Sequence, residues 1–406
     1  MGLPQHRMDE TREFAAQAQS DAKDDLSRQP HVCVRCRLCG SSRSRVVCSA
    51  EDIAAQQRFL QYFYRSRWRK QNAATATDRV KFTQDYETEI IACVECGLLY
   101  RNPRPHTEAV IKAYETERYE SAYLWAEWEA QRTWARTKVP VVAKHLKKTV
   151  KRARPRILEV GSFVGGFLVE GREQGWDMFG VDPGRDVTAF CREQGLSVFE
   201  GTLEEARFSP ASFDAIAVWN TFDQLPDPHV LLRQALPLLR NGGLLIVRVP
   251  NGACFDWVMG LPRSLRFPFD VTLAFNNLLT FPYLYGYSAL QLERLTVPYG
   301  FRLITCLPDQ LTSAPPGQLT WWARCEEYGL KKLCGAVAAV WQDDGSHRYR
   351  SSPWLDCFFE RACAEEDHVM KDKIGLGVVP VYSPLVFEDT GSDRQGLWWD
   401  REGGLR

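Results

Sequence analysis

The stretch Arg156-Ile157-Leu158-Glu159-Val160-Gly161-Ser162-Phe163-Val164-Gly165-Gly166 decides the fold of this chain. Its first five residues predict a buried strand over 156–160, and the glycines that follow interrupt it before a helix over 165–173. Downstream the pattern keeps alternating, with strands over 178–182, 197–200, 213–219 and 244–249 and helices over 186–193 and 229–239. Asn241-Gly242-Gly243 ends the last of these helices. Strands and helices joined by short connections predict a parallel sheet wrapped on both faces, the doubly wound α/β arrangement, with ligands at the carboxyl ends of the strands. Two more strands are predicted over 301–307 and 353–361, with a helix over 319–341 between them. Beyond residue 364 the chain turns acidic and then polar, without a readable element.

A glycine turn between a strand and a helix exposes backbone amides at the positive end of the helix dipole, where an anionic group is attracted. The dinucleotide pattern G-x-G-x-x-G would need glycines at 161, 163 and 166. The S-adenosylmethionine pattern, acidic-x-G-x-G-x-G, would need them at 161, 163 and 165, and Phe163 interrupts both. Glu159 separates the two readings, because it is placed to help hold a cationic methionine end that a dinucleotide lacks. Asp182, at the end of the second strand, can accept both ribose hydroxyls in either class. An ordinary turn or helix-cap aspartate is the plainer alternative.

Of thirteen cysteines, Cys191, Cys254 and Cys306 lie in apolar context and read as core thiols. Cys36-Arg-Leu-Cys39-Gly40 and Cys93-Val-Glu-Cys96-Gly97 repeat one C-x-x-C-G knuckle, in which the glycine supplies the positive φ that turns backbone amides towards the sulfurs. Four thiolates from two such knuckles predict a closed structural zinc site of Cys36, Cys39, Cys93 and Cys96. Cys33 offers an alternative C-x-x-C with Cys36, against which the glycine after Cys39 decides. Four incidental or redox-active cysteines are the other reading.

The domain organisation follows. Residues 1–30 read as a disordered polar tail and 31–105 as a zinc-binding module, with a helix over 51–68 that places Ile53, Phe59, Leu60, Phe63 and Tyr64 at helical spacing. Residues 106–150 supply connecting helices, 151–310 the cofactor-binding sheet domain and 311–406 a C-terminal extension. The basic runs Arg65, Arg67, Arg69, Lys70 and Lys147, Lys148, Lys151, Arg152, Arg154 read as solvated helix ends in preference to phosphate contacts. Fifty-one Lys+Arg balance 51 Asp+Glu at 45% hydrophobic content, the profile of a folded protein and not of a basic nucleic-acid binder. No apolar run reaches the about 20 residues that cross a bilayer, and the polar opening 1–28 has no secretory core, so a cytoplasmic protein is expected.

Over 157–251 the chain resembles class I S-adenosylmethionine-dependent methyltransferases, and among them the sugar C-methyltransferase-like subset with an N-terminal zinc-binding module. The resemblance rests on the two knuckles, the second running on as Gly97-Leu-Leu-Tyr-Arg-Asn-Pro-Arg-Pro105, and on the 157–166 loop. Further matches are Gly180-Val-Asp-Pro183, Gly201-Thr-Leu-Glu-Glu205, Leu225-Pro-Asp-Pro228 and Val249-Pro-Asn251. It implies a Rossmann-like sheet, S-adenosylmethionine and zinc as cofactors, and a small-molecule acceptor such as a sugar nucleotide or secondary metabolite. The implied cofactor contacts are Glu159, Gly161, Phe163, Gly165, Asp182, Thr202, Leu203 and Asn220, with Leu203 and the amide of Thr202 flanking the adenine. The family's W-D-x-x-E-H-L-x-D-P motif is altered here: Trp219 is followed by Asn220, Asp223 takes the glutamate position and Gln224 the histidine position. An imidazole able to act as a base is thus replaced by an amide that does not titrate. Asp223 and Tyr285, the latter from the cluster Tyr283, Tyr285, Tyr287, become the catalytic candidates, half-buried packing being the plainer reading of each tyrosine. A non-catalytic zinc- and ligand-binding scaffold, favoured by Phe163 and Gln224, and an NAD-dependent oxidoreductase, disfavoured by Glu159, stay as alternatives. Balanced charge argues against an RNA-modifying enzyme.

Overall fold

The structure, a computed structural model, describes residues 31–67, 87–150, 152–262, 264, 266, 283–309, 319–330, 332 and 352–362. The chain divides into two units, 1–364 and 365–406, and every described residue belongs to the first.

In chain order the elements are β1 His31–Val32, β2 Ser44–Cys48, α1 Ala50–Ser66, β3 Glu89–Cys93, β4 Leu99–Asn102, β5 Arg104–Pro105, α2 Thr107–Thr116 and α3 Ser121–Thr149. There follow β6 Arg156–Val160, α4 Gly166–Glu173, β7 Asp177–Asp182, α5 Arg185–Glu193, β8 Val198–Glu200, β9 Phe213–Trp219, α6 Pro228–Leu238 and β10 Leu239–Pro250. The last are α7 Gly252–Met259, β11 Tyr285–Gly286, α8 Ala289–Thr296, β12 Phe301–Asp309, α9 Trp321–Cys325 and β13 Trp354–Arg361. No described helix is long and apolar enough to cross a membrane.

Seven strands form the main sheet in the order β12-β13-β10-β9-β6-β7-β8. The expected parallel sheet is in fact mixed, since β13 runs antiparallel to both β10 and β12. The central strands are mostly apolar and buried because helices cover both faces, and every residue of β9 is buried. One core cluster joins Leu158, Ile216, Leu245 and Phe359 to residues of the cysteine module, among them Cys36 and Tyr100. A second packs Trp128, Val142 and Phe167 under the opposite face. The helix expected over 319–341 is described only as α9 and a π turn over Glu326–Leu330. The expected tail, 1–30, and the sequence beyond 362 lie outside the described residues.

The cysteine module builds its own antiparallel sheet in the order β11-β4-β3-β2. Its fourth strand, β11, comes from the distant segment before α8, with Tyr285 opposite Tyr100 and Gly286 opposite Leu99. Arg101, buried in this sheet, donates from Nε to the Tyr283 carbonyl at 2.8 Å. Arg67 departs from the expected solvated helix end: it is buried, paired with Glu326 at 2.5 Å, and lies over the rings of Phe63 and Trp322. Tertiary packing of α9 against α1 is what covers it. Lys147, Lys148, Arg152 and Arg154 are exposed, as expected.

A buried ion network closes the antiparallel edge. Lys138 of α3 reaches Asp356 at 2.5 Å and Asp309 at 2.7 Å. Arg248 of β10, 1% exposed, pairs with the same two carboxylates and donates from Nε to Asn220 Oδ1 at 2.8 Å. The Trp134 and Trp354 rings lie within 5.3 and 4.8 Å of its guanidinium carbon. Burial draws the Lys138 ammonium down to about 8, against the pull of Asp356. Removing one cation from such a set leaves buried carboxylates undercompensated. Arg248→Met is therefore expected to lower the unfolding free energy by about 3 kcal/mol, read from urea unfolding at neutral pH.

Candidate active site and cysteine cluster

The loop from β6 to α4 turns through three left-handed residues, Gly161 at φ +73°, Phe163 at φ +45° and Gly165 at φ +78°. Side chains at Gly161 and Gly165 would meet Thr221 and Leu196, so both glycines are required by space as well as by dihedral. Phe163 takes the conformation that a glycine would have supplied, at a cost of about 1–2 kcal/mol for an L-residue. Its amide donates to Asp182 Oδ2 at 2.7 Å, and its ring meets Tyr119 and Tyr123 edge-on. The missing middle glycine thus leaves the turn intact.

Asp182, at the end of β7, accepts the Gly184 amide on Oδ1 at 2.9 Å as well, so one oxygen orients each neighbouring loop and both keep a lone pair. Burial raises its carboxyl to about 6, with the two amides pulling the other way. Glu159 is buried beside it, and desolvation, helped by the Asp182 charge, holds its carboxyl well above the usual range. Glu159 Oε2 and Ser162 Oγ are buried with no hydrogen-bond partner among the described residues.

Beyond β9, Asn220 adopts φ +52° and its carbonyl accepts from Gln224 Nε2, while Gln224 Oε1 accepts from Tyr114 at 2.6 Å. Gln224 therefore acts as a bridge with both ends engaged. Asp223 sits in the 3₁₀ turn Phe222–Gln224, 0% exposed, and neither of its carboxyl oxygens has a hydrogen-bond partner among the described residues. Desolvation pushes its pKa well up, opposed by its own backbone amide and by Arg248. Its carbonyl accepts the Leu284 amide at 2.9 Å, which ties this turn to the Tyr283–Tyr287 segment. The Tyr287 hydroxyl is likewise buried and unpartnered.

Two of the expected site residues are engaged by protein groups. The Tyr285 hydroxyl donates to the Pro226 carbonyl at 2.9 Å and accepts from Arg104 NH1 at 2.7 Å, while Arg104 NH2 donates to the same carbonyl at 2.8 Å. The Tyr285 hydroxyl thus has its proton engaged within the protein and ties its segment to the loop at Pro226. The Thr202 amide, expected against an adenine, instead donates to Glu205 Oε2 at 2.7 Å, because a carboxylate three residues on closes a local turn. Leu203 is buried there. Sequence reasoning missed Arg104, Arg248 and Lys138, which no local motif distinguishes from surface cations.

The knuckles repeat one backbone pattern. Gly40 and Gly97, at φ +75° and +72°, donate to the Cys36 and Cys93 carbonyls at 2.8 and 2.9 Å. The sulfurs of Cys36, Cys39, Cys93 and Cys96 lie within 4.8 Å of one another, and Cys33 is exposed and outside the group.

The strand order, with loops at the carboxyl edge and one antiparallel strand near the far edge, defines a class I methyltransferase architecture. In agreement, the sequence profile of the methyltransferase-domain family matches residues 128–305. An uncharacterized protein of Mycobacterium tuberculosis is 29% identical over 191 residues, 46% of this chain and 59% of that protein. A ubiquinone biosynthesis O-methyltransferase of Xylella fastidiosa is 31% identical over 123 residues, 28% of this chain and 48% of that protein. The chain thus spans between about half and three fifths of the length of these relatives. Among solved structures, an S-adenosylmethionine-dependent methyltransferase from Archaeoglobus fulgidus aligns with a TM-score of 0.38 at 15% identity, covering 59% of this chain and all of that one.

If the Asp182 carboxylate holds the ribose of S-adenosylmethionine, as the sequence reading expects, affinity for that cofactor falls as pH drops through about 6, where this carboxyl takes up its proton. Calorimetry at pH 7.5 and pH 5 should show a loss of roughly tenfold per pH unit below that value. Asp182→Asn should flatten the dependence.

Proposed function

We propose that this chain is an S-adenosylmethionine-dependent methyltransferase acting on a small-molecule acceptor, of the size of a sugar nucleotide or secondary metabolite, with a structural zinc in its cysteine module. The observation that carries this reading is Asp223, a buried carboxyl without a side-chain hydrogen-bond partner among the described residues, held at the carboxyl edge of the sheet next to Asn220 in the region that matches the methyltransferase-domain profile. A native fold leaves such a group unpaired at a cost of about 1–3 kcal/mol, and function is the usual reason.

When bound, S-adenosylmethionine supplies a methyl group already activated on a sulfonium sulfur. The donor set fits it: Glu159 Oε2 and Ser162 Oγ are unpaired and suited to an ammonium and a carboxylate, and Asp182 keeps lone pairs for a ribose. Gly161, Phe163 and Gly165 present the turn, Leu203 offers an apolar surface for a base, and Asn220 is locked by Arg248. These residues align and exclude water, which supplies most of what methyl transfer asks of a protein.

Asp223 takes the proton of an acceptor that must lose one. Its raised pKa makes the ionised form a stronger base than an ordinary carboxylate. The base works only when ionised, so turnover rises with pH through an acidic limb displaced upward from the usual carboxylate range. Asp223→Asn should cost about 10²-fold in kcat and abolish that limb, with cofactor affinity unchanged. Full activity in this variant would reduce the mechanism to positioning alone.

Zinc suits the four sulfurs chemically and sterically. Cys36 lies 3.4 Å from Cys96 and Cys39 lies 3.4 Å from Cys93, close to the roughly 3.8 Å edges of a tetrahedron with bonds of about 2.3 Å. With four protein ligands no position is left for substrate, so the ion is structural. Purified protein should contain one zinc per chain by elemental analysis, and Cys93→Ser should lose it and lower the thermal stability of the module.

A further inference from the structure

Cys306 and Cys357 face each other across the antiparallel ladder of β12 and β13 with their sulfurs 2.9 Å apart. The sequence gives no reason to pair them, and Cys306 reads there as a plain core thiol. A register shift between Leu303 and Thr305 creates the pairing. Were the register at Leu303 and Phe359 continued unshifted, Cys357 would face Thr305, and the extra residue moves Cys306 into its place. Both thiols are shielded, Cys357 at 0% and Cys306 at 7% exposure, and β12 is the edge strand of the sheet. Directly opposed antiparallel positions hold their Cα atoms about 4.5–5.5 Å apart, within the span of a disulfide.

We propose that Cys306 and Cys357 form a reversible cross-strand disulfide, a modification site at the antiparallel edge of the sheet that is charged by low-molecular-weight disulfides. The Cys306 thiolate, on the edge strand, attacks one sulfur of the small disulfide, forming a mixed disulfide and releasing one small thiolate. The Cys357 thiolate then attacks Cys306 Sγ, the protein S–S bond forms, and the second small thiolate leaves. Two electrons pass from the cysteine pair to the small disulfide, and the two thiol protons end on the released thiols. The product would clamp together the two strands that carry Asp309 and Asp356, the acidic partners of Arg248.

The test uses the full-length zinc-loaded protein, oxidised glutathione as the probe, alkylation of remaining thiols and non-reducing peptide mapping. The expected result is a Cys306–Cys357 linked peptide at least tenfold more abundant than any other pairing of buried cysteines, removed by dithiothreitol and missing in Cys306→Ser. Oxidation should also raise the melting temperature of the wild type reversibly, and leave both Cys306→Ser and Cys357→Ala unmoved. The proposal is overturned if both thiols remain fully alkylatable after unfolding under conditions that oxidise the exposed Cys33 and Cys325, or if the linked peptide joins other cysteines.

Discussion

Arg248 is the constraint around which the sheet domain is organised. A guanidinium that never loses its charge, enclosed almost completely, can be tolerated only if acids and aromatic faces surround it, and here they come from three separate elements. Asp309 and Asp356 bring in the two strands of the antiparallel edge, Trp134 brings in the long helix α3, and Asn220 connects the network to the tip of β9. The same side chain that satisfies the edge strands therefore sets the orientation of a residue at the carboxyl edge of the sheet. Lys138 shares the acids, so the network holds two cations and two carboxylates with little net charge to desolvate.

The cysteine module and the sheet domain are likewise joined through the site itself. Strand β11 is donated to the module's sheet, Arg101 holds the Tyr283 carbonyl, and Arg104 grips both Tyr285 and Pro226. Gln291 of α8 donates to the Cys96 carbonyl at 3.0 Å, and His229 of α6 meets the Arg37 carbonyl at 2.6 Å. Each contact ties a knuckle or its flanking strand to a segment bordering Asp223. Folding of the module and the shape of the loop at Asp223 are consequently one problem.

The carboxyl edge concentrates acids whose protons burial retains. Glu159, Asp182 and Asp223 are all raised by desolvation, which two loop amides oppose at Asp182 and which its own amide and Arg248 oppose at Asp223. A cationic cofactor fits such an edge, since its charge favours ionisation of the neighbouring carboxyls.

Much of this was legible in the residues. Period and glycine placement determine the strand-turn-helix unit at 156–173, since a short, mostly apolar strand and a left-handed turn leave few alternatives. The paired knuckles determine which four sulfurs meet, because each C-x-x-C-G is a local turn that folds the same way wherever it stands. What tertiary structure alone decided are the facts that depend on partners distant in sequence. These include the burial of Arg67, Arg104 and Lys138, the engagement of Tyr285 and Gln224, the reversal of β13, and the bulge that sets Cys306 against Cys357. A cation or tyrosine has the same local signature whether it meets water or a carboxylate a hundred residues away, and strand direction and register follow from the packing of whole edges, so these choices exist only once the chain is folded.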